Sequence, residues 1–243
     1  MFDKVKEENI LFLDIETVSA TYKFENLNER FKNLWAKKMS FFMERDGKLA
    51  EELYTKAAIW AEFGKIVCIS VGYLINKNGK KILRIKSFSD ALEKDLLENF
   101  GALLNEHFYK DKHFLCAHNG KEFDFPYIAR RMLVNGVQLP KLLNIAGKKP
   151  WEVKHIDTME LWKFGDHKHY TSLDLLTELF NVDSPKSEMD GSMVSKAYWE
   201  DKKLHKIVAY CQNDVVALCK VFLKFCGKVD LTDLEIEIVE PTS

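Results

Sequence analysis

The chain has 243 residues, 47% hydrophobic and 30% charged, with 36 basic residues against 37 acidic and a net charge of −1. This length suits one large domain or two small ones, and the balance excludes a global positive field that would draw in nucleic acid. Met1 to Glu8 is too charged for a signal peptide, and the longest apolar run, Ile66 to Ile75, is about half a membrane span, so no membrane partner is expected. Five cysteines (Cys68, Cys116, Cys211, Cys219, Cys226), odd in number and without a C-x-x-C pair, point to a reduced cytoplasm. Cys211, Cys219 and Cys226 recur near helical spacing and read as thiols on one helix face.

Ile10 to Leu13 is a four-residue apolar run that reads as a buried strand, and it leads into Asp14-Ile15-Glu16-Thr17. Strand side chains alternate, so Asp14 and Glu16 project from one face. Two adjacent carboxylates at the end of a buried strand repel each other and lose solvation unless a cation compensates, and the natural compensator is a divalent metal with oxygen ligands.

Thr21 to Phe63 is a helical excursion, a candidate cap or cleft wall. Phe24, Leu27, Phe31, Leu34 and Trp35 keep the rhythm of an amphipathic helix, and a second helix is expected over Leu49 to Ala61 after an Asp46-Gly47 turn. Lys65 to Ile75 reads as a central strand, and Asn76 to Gly79 turns it into a returning strand over Lys81 to Phe88. Asp90 with Glu93 is expected to open a helix that reaches His107. His113 to Ala117 is a further short strand, followed by a turn over His118 to Glu122 and a helix from about Asp124 to Asn135, stopped by Gly136.

Val153 to Ile156 is a fifth strand ending at Asp157, and Thr171 with Asp174 has the spacing of a capping box for a helix through Phe180. Met193 to Phe225 is helical with a break near Asp201, and Leu234 to Ile238 alternates like a late edge strand. A hairpin followed by strand–helix alternation predicts a single α/β domain over residues 1–243 with a mixed sheet.

Two fragments can complete the acidic site. Asn119-Gly120-Lys121-Glu122-Phe123-Asp124 lies where a strand–loop–helix unit starts its helix, the place where open α/β sheets build their sites, although on this fragment alone a plain helix cap is the favoured reading of Asp124. Tyr210 and Asp214 are one helical turn apart among apolar neighbours and so share a face.

In this order, Asp-x-Glu, Asn-x-x-x-Phe-Asp and Tyr-x-x-x-Asp resemble the three motifs of the DEDD exonuclease superfamily, tyrosine subtype. The chain is most similar to stand-alone 3′–5′ exonucleases related to the proofreading domain of family B DNA polymerases, over about Ile10 to Phe225 and including Phe63 to Val67 and the loop Lys186 to Ser192. The resemblance implies a ribonuclease H-like fold, a five-stranded mixed sheet flanked by helices. It also implies two Mg²⁺ or Mn²⁺ ions on Asp14, Glu16, Asp124 and Asp214, with Tyr210 orienting the attacking water. Thr17, Asn119 and Phe123 would then line the terminal-nucleotide pocket, and the substrate would be the 3′ end of a single strand, DNA favoured over RNA.

Lys148, Lys149, Lys154 and Lys168, with Trp151, Trp162, Phe164 and Tyr170, offer charge and stacking faces for that strand, set against a reading as solvated loops and core aromatics. Asp157 is a candidate for support behind the site. His155, His167 and His169 lack zinc-ligand spacing. Competing readings are a non-catalytic 3′-end-binding module, or a proofreading or repair subunit that docks on a polymerase or helicase through the Thr21–Phe63 helices.

Overall fold

The computed structural model describes residues 5–166, 170–182 and 189–239. Among these residues six strands form one mixed sheet: β1 (Ile10–Ser19), β2 (Gly64–Lys77), β3 (Lys80–Phe88), β4 (Phe114–Ala117), β5 (Ile156–Asp157) and β6 (Glu235–Ile238). Their order across the sheet is β5-β4-β1-β2-β3-β6. β1 pairs antiparallel with β2, as does β2 with β3, whereas β4 runs parallel to β1, β5 to β4 and β6 to β3. The α/β class with a mixed sheet holds, but the count of five strands is corrected to six. The alternating tail 235–238 adds itself to the exposed edge of β3.

Strand alternation sorts β1 between two cores. Leu11, Leu13 and Ile15 point to a core shared with α2 (Glu93–His107) and α3 (Asp124–Val134). Ile10 and Phe12 point to the opposite core, under α7 (Leu204–Phe225). Asp14 and Glu16 share the parity of Ile10 and Phe12, so the acids end a buried row on the α7 side. Gly72 of β2 allows that helix to come close, since a Cβ there would lie 2.8 Å from Val215 Cγ1 and 2.9 Å from Ile85 Cδ1.

Several local expectations shift. Phe24–Asn26 is a single 3₁₀ turn, and helix α1 (Glu29–Asp46) starts later, capped by Asn28, whose side chain accepts from Phe31 N–H. The second helix of the excursion is 3₁₀ over Glu52–Ile59. This region builds a small core of its own from Trp35, Met39, Leu53, Tyr54 and Phe63.

Asp90 and Glu93 do not form a capping box: α2 has Leu92 at its cap without a side-chain bond, and Glu93 turns inward to Arg131. Its Oε1 accepts from Ile66 N–H (2.8 Å) and Arg131 Nε (2.9 Å), and its Oε2 accepts from Asn135 Nδ2 (3.0 Å). Ser172, not Thr171, caps α5 (Leu173–Leu179). The expected strand over Val153 to Ile156 is reduced to Ile156–Asp157, because Asp157 starts α4 (Thr158–Lys163). The late helical region breaks into α6 (Val194–Trp199) and α7, as the polar stretch at 200–203 suggested. No helix among the described residues is long and apolar enough to cross a membrane.

Candidate active site

At the C-terminal half of β1 the register with β2 slips between Glu16 and Thr17, so that Val67 of β2 is unpaired. Asp14 and Glu16 lie just before this bulge. Glu16 is buried and Asp14 half-buried. Cys211 of α7 meets them, its thiol 3.3 Å from both the backbone oxygen and Oδ2 of Asp14. Ligand atoms of Asp14, Glu16 and Cys211 lie within 4.8 Å of one another. Asp214 is three residues beyond Cys211 and so shares its helix face.

Asp124 arrives from the other side of β1. It is the first residue of α3 rather than its cap, and is buried. Its carboxylate accepts from its own N–H and from Ile15 N–H, which ties the start of α3 to β1 between the two β1 acids. The fold therefore brings all four predicted acids together as one electrostatic unit. Asp14, Glu16 and Cys211 form its tight centre, and Asp124 and Asp214 flank it.

Burial raises the Asp14 carboxyl well above the usual range, helped by the charges of Glu16, Asp214 and Asp124 and opposed by the Cys211 bond. Burial likewise raises Glu16, with Asp214 the next largest influence. Asp124 is pushed up to about 7, chiefly by burial. Asp214 is pushed up to about 6 by burial, against the lowering effect of the Tyr210 hydroxyl that donates to it. No lysine or arginine among the described residues offsets any of the four.

Two ionised carboxylates ~4 Å apart repel by about 4 kcal/mol at an effective dielectric near 20. A whole domain is stable by only about 5–15 kcal/mol. The cluster therefore holds its protons or takes a cation, and its all-oxygen acidic set fits a hard divalent ion. The Cys211 thiol, raised by burial, stays protonated and acts as a donor to Asp14 rather than a rival ligand. Tyr210 is raised by burial and by Asp214, so it stays a phenol.

Thr17 follows Glu16 at the end of β1, and Asn119 and Phe123 belong to the turn that leads into Asp124. Thr17 Oγ1 donates to Ala58 O (2.9 Å), and Tyr127 Oη donates to the same carbonyl (2.8 Å), which fixes the Thr21–Phe63 excursion against the end of β1 as a wall. Asn119 adopts a left-handed conformation, φ 63, tolerable for asparagine. Its Oδ1 is buried without a partner. Phe123 precedes α3 and packs its ring 5.2 Å from that of Tyr127.

Two residues carry more than sequence reasoning gave them. Asp157 accepts from Asn119 N–H and Lys121 N–H, both at 3.0 Å, and from Met159 and Glu160 N–H, so one carboxylate holds the 119–121 turn and caps α4. Its place at a strand end before a helix was the available signal. Cys211 was read only as a buried thiol; its position three residues before Asp214 was the clue to its face.

Other candidates resolve differently. Trp162 is packing, stacked on Phe225 at 5.9 Å and edge-on to Phe180. His155 is buried with both ring nitrogens engaged, by Leu115 N–H and Leu142 O, and is lowered to about 4 by burial. Lys148, Lys149, Lys154, Trp151, Phe164 and Tyr170 are exposed. His167, Lys168, His169 and the 186–188 part of the Lys186 to Ser192 loop lie outside the described residues.

The model of a family described as predicted 3′–5′ exonucleases related to the exonuclease domain of PolB matches residues 59–239. The chain belongs to that family. The match takes in Asp124, Tyr210 and Asp214, while the Asp14–Glu16 pair lies N-terminal to it. Among solved structures, the chain is similar to the family B DNA polymerase of the hyperthermophilic archaeon Pyrobaculum calidifontis, at 16% identity and a TM-score of 0.50. That likeness covers 89% of this chain but only 24% of the polymerase, and it supports the ribonuclease H-like fold.

Proposed function

We propose that the chain removes nucleotides one at a time from the 3′ end of single-stranded nucleic acid, DNA favoured over RNA, releasing nucleoside 5′-monophosphates. Asp14, Glu16, Asp124 and Asp214 would hold two divalent ions, Mg²⁺ or Mn²⁺. When bound, such a pair lowers the pKa of a bound water and neutralises charge on the attacking and leaving oxygens of an in-line phosphoryl displacement. The observation that carries this reading is the convergence of four acids from three elements with no protein cation beside them among the described residues.

The protein groups have separable tasks. Asp14 is oriented by the Cys211 thiol and Asp124 by two backbone N–H groups, so these carboxylates present fixed oxygens. Tyr210, kept protonated, orients the water as a hydrogen-bonding phenol and not as a base. Thr17, Asn119 and Phe123 border the acids and receive the terminal nucleotide. The preference for DNA is supported by the polymerase to which the chain is similar.

The test is degradation of 3′-labelled and 5′-labelled single-stranded DNA and RNA of one sequence with Mn²⁺, Mg²⁺ or EDTA, with Asp14→Ala as the contamination control. Metal-dependent release of mononucleotide from the 3′ label, faster on DNA, is expected. Release from the 5′ end, or activity that survives in Asp14→Ala, would overturn the reading.

A further inference from the structure

On the side of α3 that carries Pro126, Ala129 and Leu133, a cavity of about 560 Å³ opens between that helix and the chain from 139 to 166. It begins at Asn119 and Glu122, within five residues of Asp124, and runs away over Pro126, Ala129, Leu133 and Ile145. Its size falls in the ~300–1,000 Å³ range of ligand pockets.

The charges on its wall are not all spoken for. Lys121 pairs with Glu160 at 2.6 Å, and Asp157 is saturated by backbone N–H groups. Arg130, Lys148 and Lys163 make no ion pair among the described residues, against Glu122 and Asp166 as the other wall acids.

Two exposed aromatic residues flank residues of the wall in sequence. Trp151, between the wall residues Pro150 and Val153, is 77% exposed, with the Lys149 ammonium 5.2 Å from its ring centre. Phe164, between the wall residues Lys163 and Gly165, is 87% exposed. Phe164 also holds a left-handed backbone, φ 45 and ψ 35, which a bulky side chain rarely adopts. That conformation is the left-handed cap that ends α4, its N–H returning to Leu161 O, and it turns the Phe164 ring out to solvent.

We propose that this cleft carries the single strand upstream of the cleaved nucleotide, with bases stacking on Trp151 and Phe164 and phosphates meeting Arg130, Lys148 and Lys163. Every base offers a π-face and every linkage a phosphate, so rings interleaved with unpaired cations bind a strand without reading its sequence. Neither feature suits an apolar peptide, and a free mononucleotide would use one ring and one cation. The assignment rests on the exonuclease reading above and adds the route by which the substrate leaves the acids.

The test compares a dinucleotide with a ten-residue oligonucleotide as substrates in Mn²⁺, and measures anisotropy of the fluorescent ten-mer in EDTA, for wild type, Trp151→Ala/Phe164→Ala and Lys148→Glu/Lys163→Glu. Both variants are expected to raise KM for the ten-mer about five- to a hundredfold while kcat and dinucleotide hydrolysis stay unchanged. The charge variant should also bind with a shallower salt dependence. An unchanged ten-mer KM overturns the cleft assignment and leaves the exonuclease reading intact, and an equal loss on both substrates overturns it too. If wild type cleaves nothing, weaker ten-mer binding by the variants still supports the cleft. Binding equal to wild type, or no binding by wild type, sinks it.

Discussion

Two charge clusters lie against this sheet, and they are built by opposite rules. Behind α3, Glu93 and Arg131 are each nearly buried, with 8% and 11% side-chain exposure, yet every charge has a partner: Ile66 N–H and Asn135 for the carboxylate, Ala61 O for the guanidinium. Where β1 meets α7 and the start of α3, Asp14, Glu16, Asp124 and Asp214 crowd together with no partner of opposite sign among the described residues. The first cluster joins α2, β2 and α3 and serves the fold. The second works against the fold unless its carboxyls keep their protons or take up a cation. A buried charge left uncompensated by its own chain marks a site, and a satisfied one marks a joint.

Removing a member of each cluster should separate the two roles most sharply. Asp14→Ala or Asp214→Ala is expected to reduce 3′ release by about a thousandfold or more, since the metals supply several kcal/mol of transition-state stabilisation. In EDTA at neutral pH the same variants should melt no lower than wild type, because each relieves repulsion. Glu93→Ala should do the reverse, costing about 3–5 kcal/mol by stranding Arg131, with the rate per folded molecule kept. Denaturant melts beside single-turnover rates on one set of proteins decide this. An Asp14→Ala protein as unstable as Glu93→Ala would break the distinction.

The acids also predict how the metal-free protein responds to pH. Asp124 titrates near 7 in the fold against about 3.9 unfolded, so the folded state favours its neutral form. Its contribution is intact below pH ~4 and is lost as pH rises through about 7. Asp214, raised to about 6, follows the same sign over a lower window. Relative to Asp124→Asn, wild type in EDTA should lose on the order of 2–4 kcal/mol between pH 4 and 7.5, and saturating Mn²⁺ should abolish the loss. A wild type that gains stability on the variant over that interval would contradict the assigned burial.

Much of this site was legible in the chain because its ingredients are local. Strand parity put Asp14 and Glu16 on one face, and helical spacing put Tyr210 and Asp214 on another. What stayed hidden depends on contacts between distant segments. Cys211 reaches Asp14 across 197 residues, and nothing in either neighbourhood announces that meeting. Glu93 looks like half of a capping box until Arg131 is 38 residues away in sequence and 2.9 Å away in space. The sixth strand shows only as weak alternation, since an exposed edge such as Glu235–Ile238 needs little hydrophobic content. Phe164 is plain in the sequence, but its exposure and backbone strain belong to the fold.

The smaller effects test how the acid cluster is oriented. Tyr210→Phe removes the hydroxyl that donates to Asp214 and should slow release about 100-fold with metal half-saturation nearly unchanged. A parallel loss of metal affinity would recast Tyr210 as a support for Asp214 instead of a partner of the water. Cys211→Ala removes the thiol that pins Asp14 and should raise metal half-saturation about tenfold, with the rate at saturating metal near wild type. Cys211→Ser, which retains a donor, should restore most of the metal affinity. A rate loss in Cys211→Ala that added metal cannot recover would mean the thiol shapes the reacting centre itself. The uncompensated cluster would then contain a fifth functional group, where the compensated one behind α3 contains none.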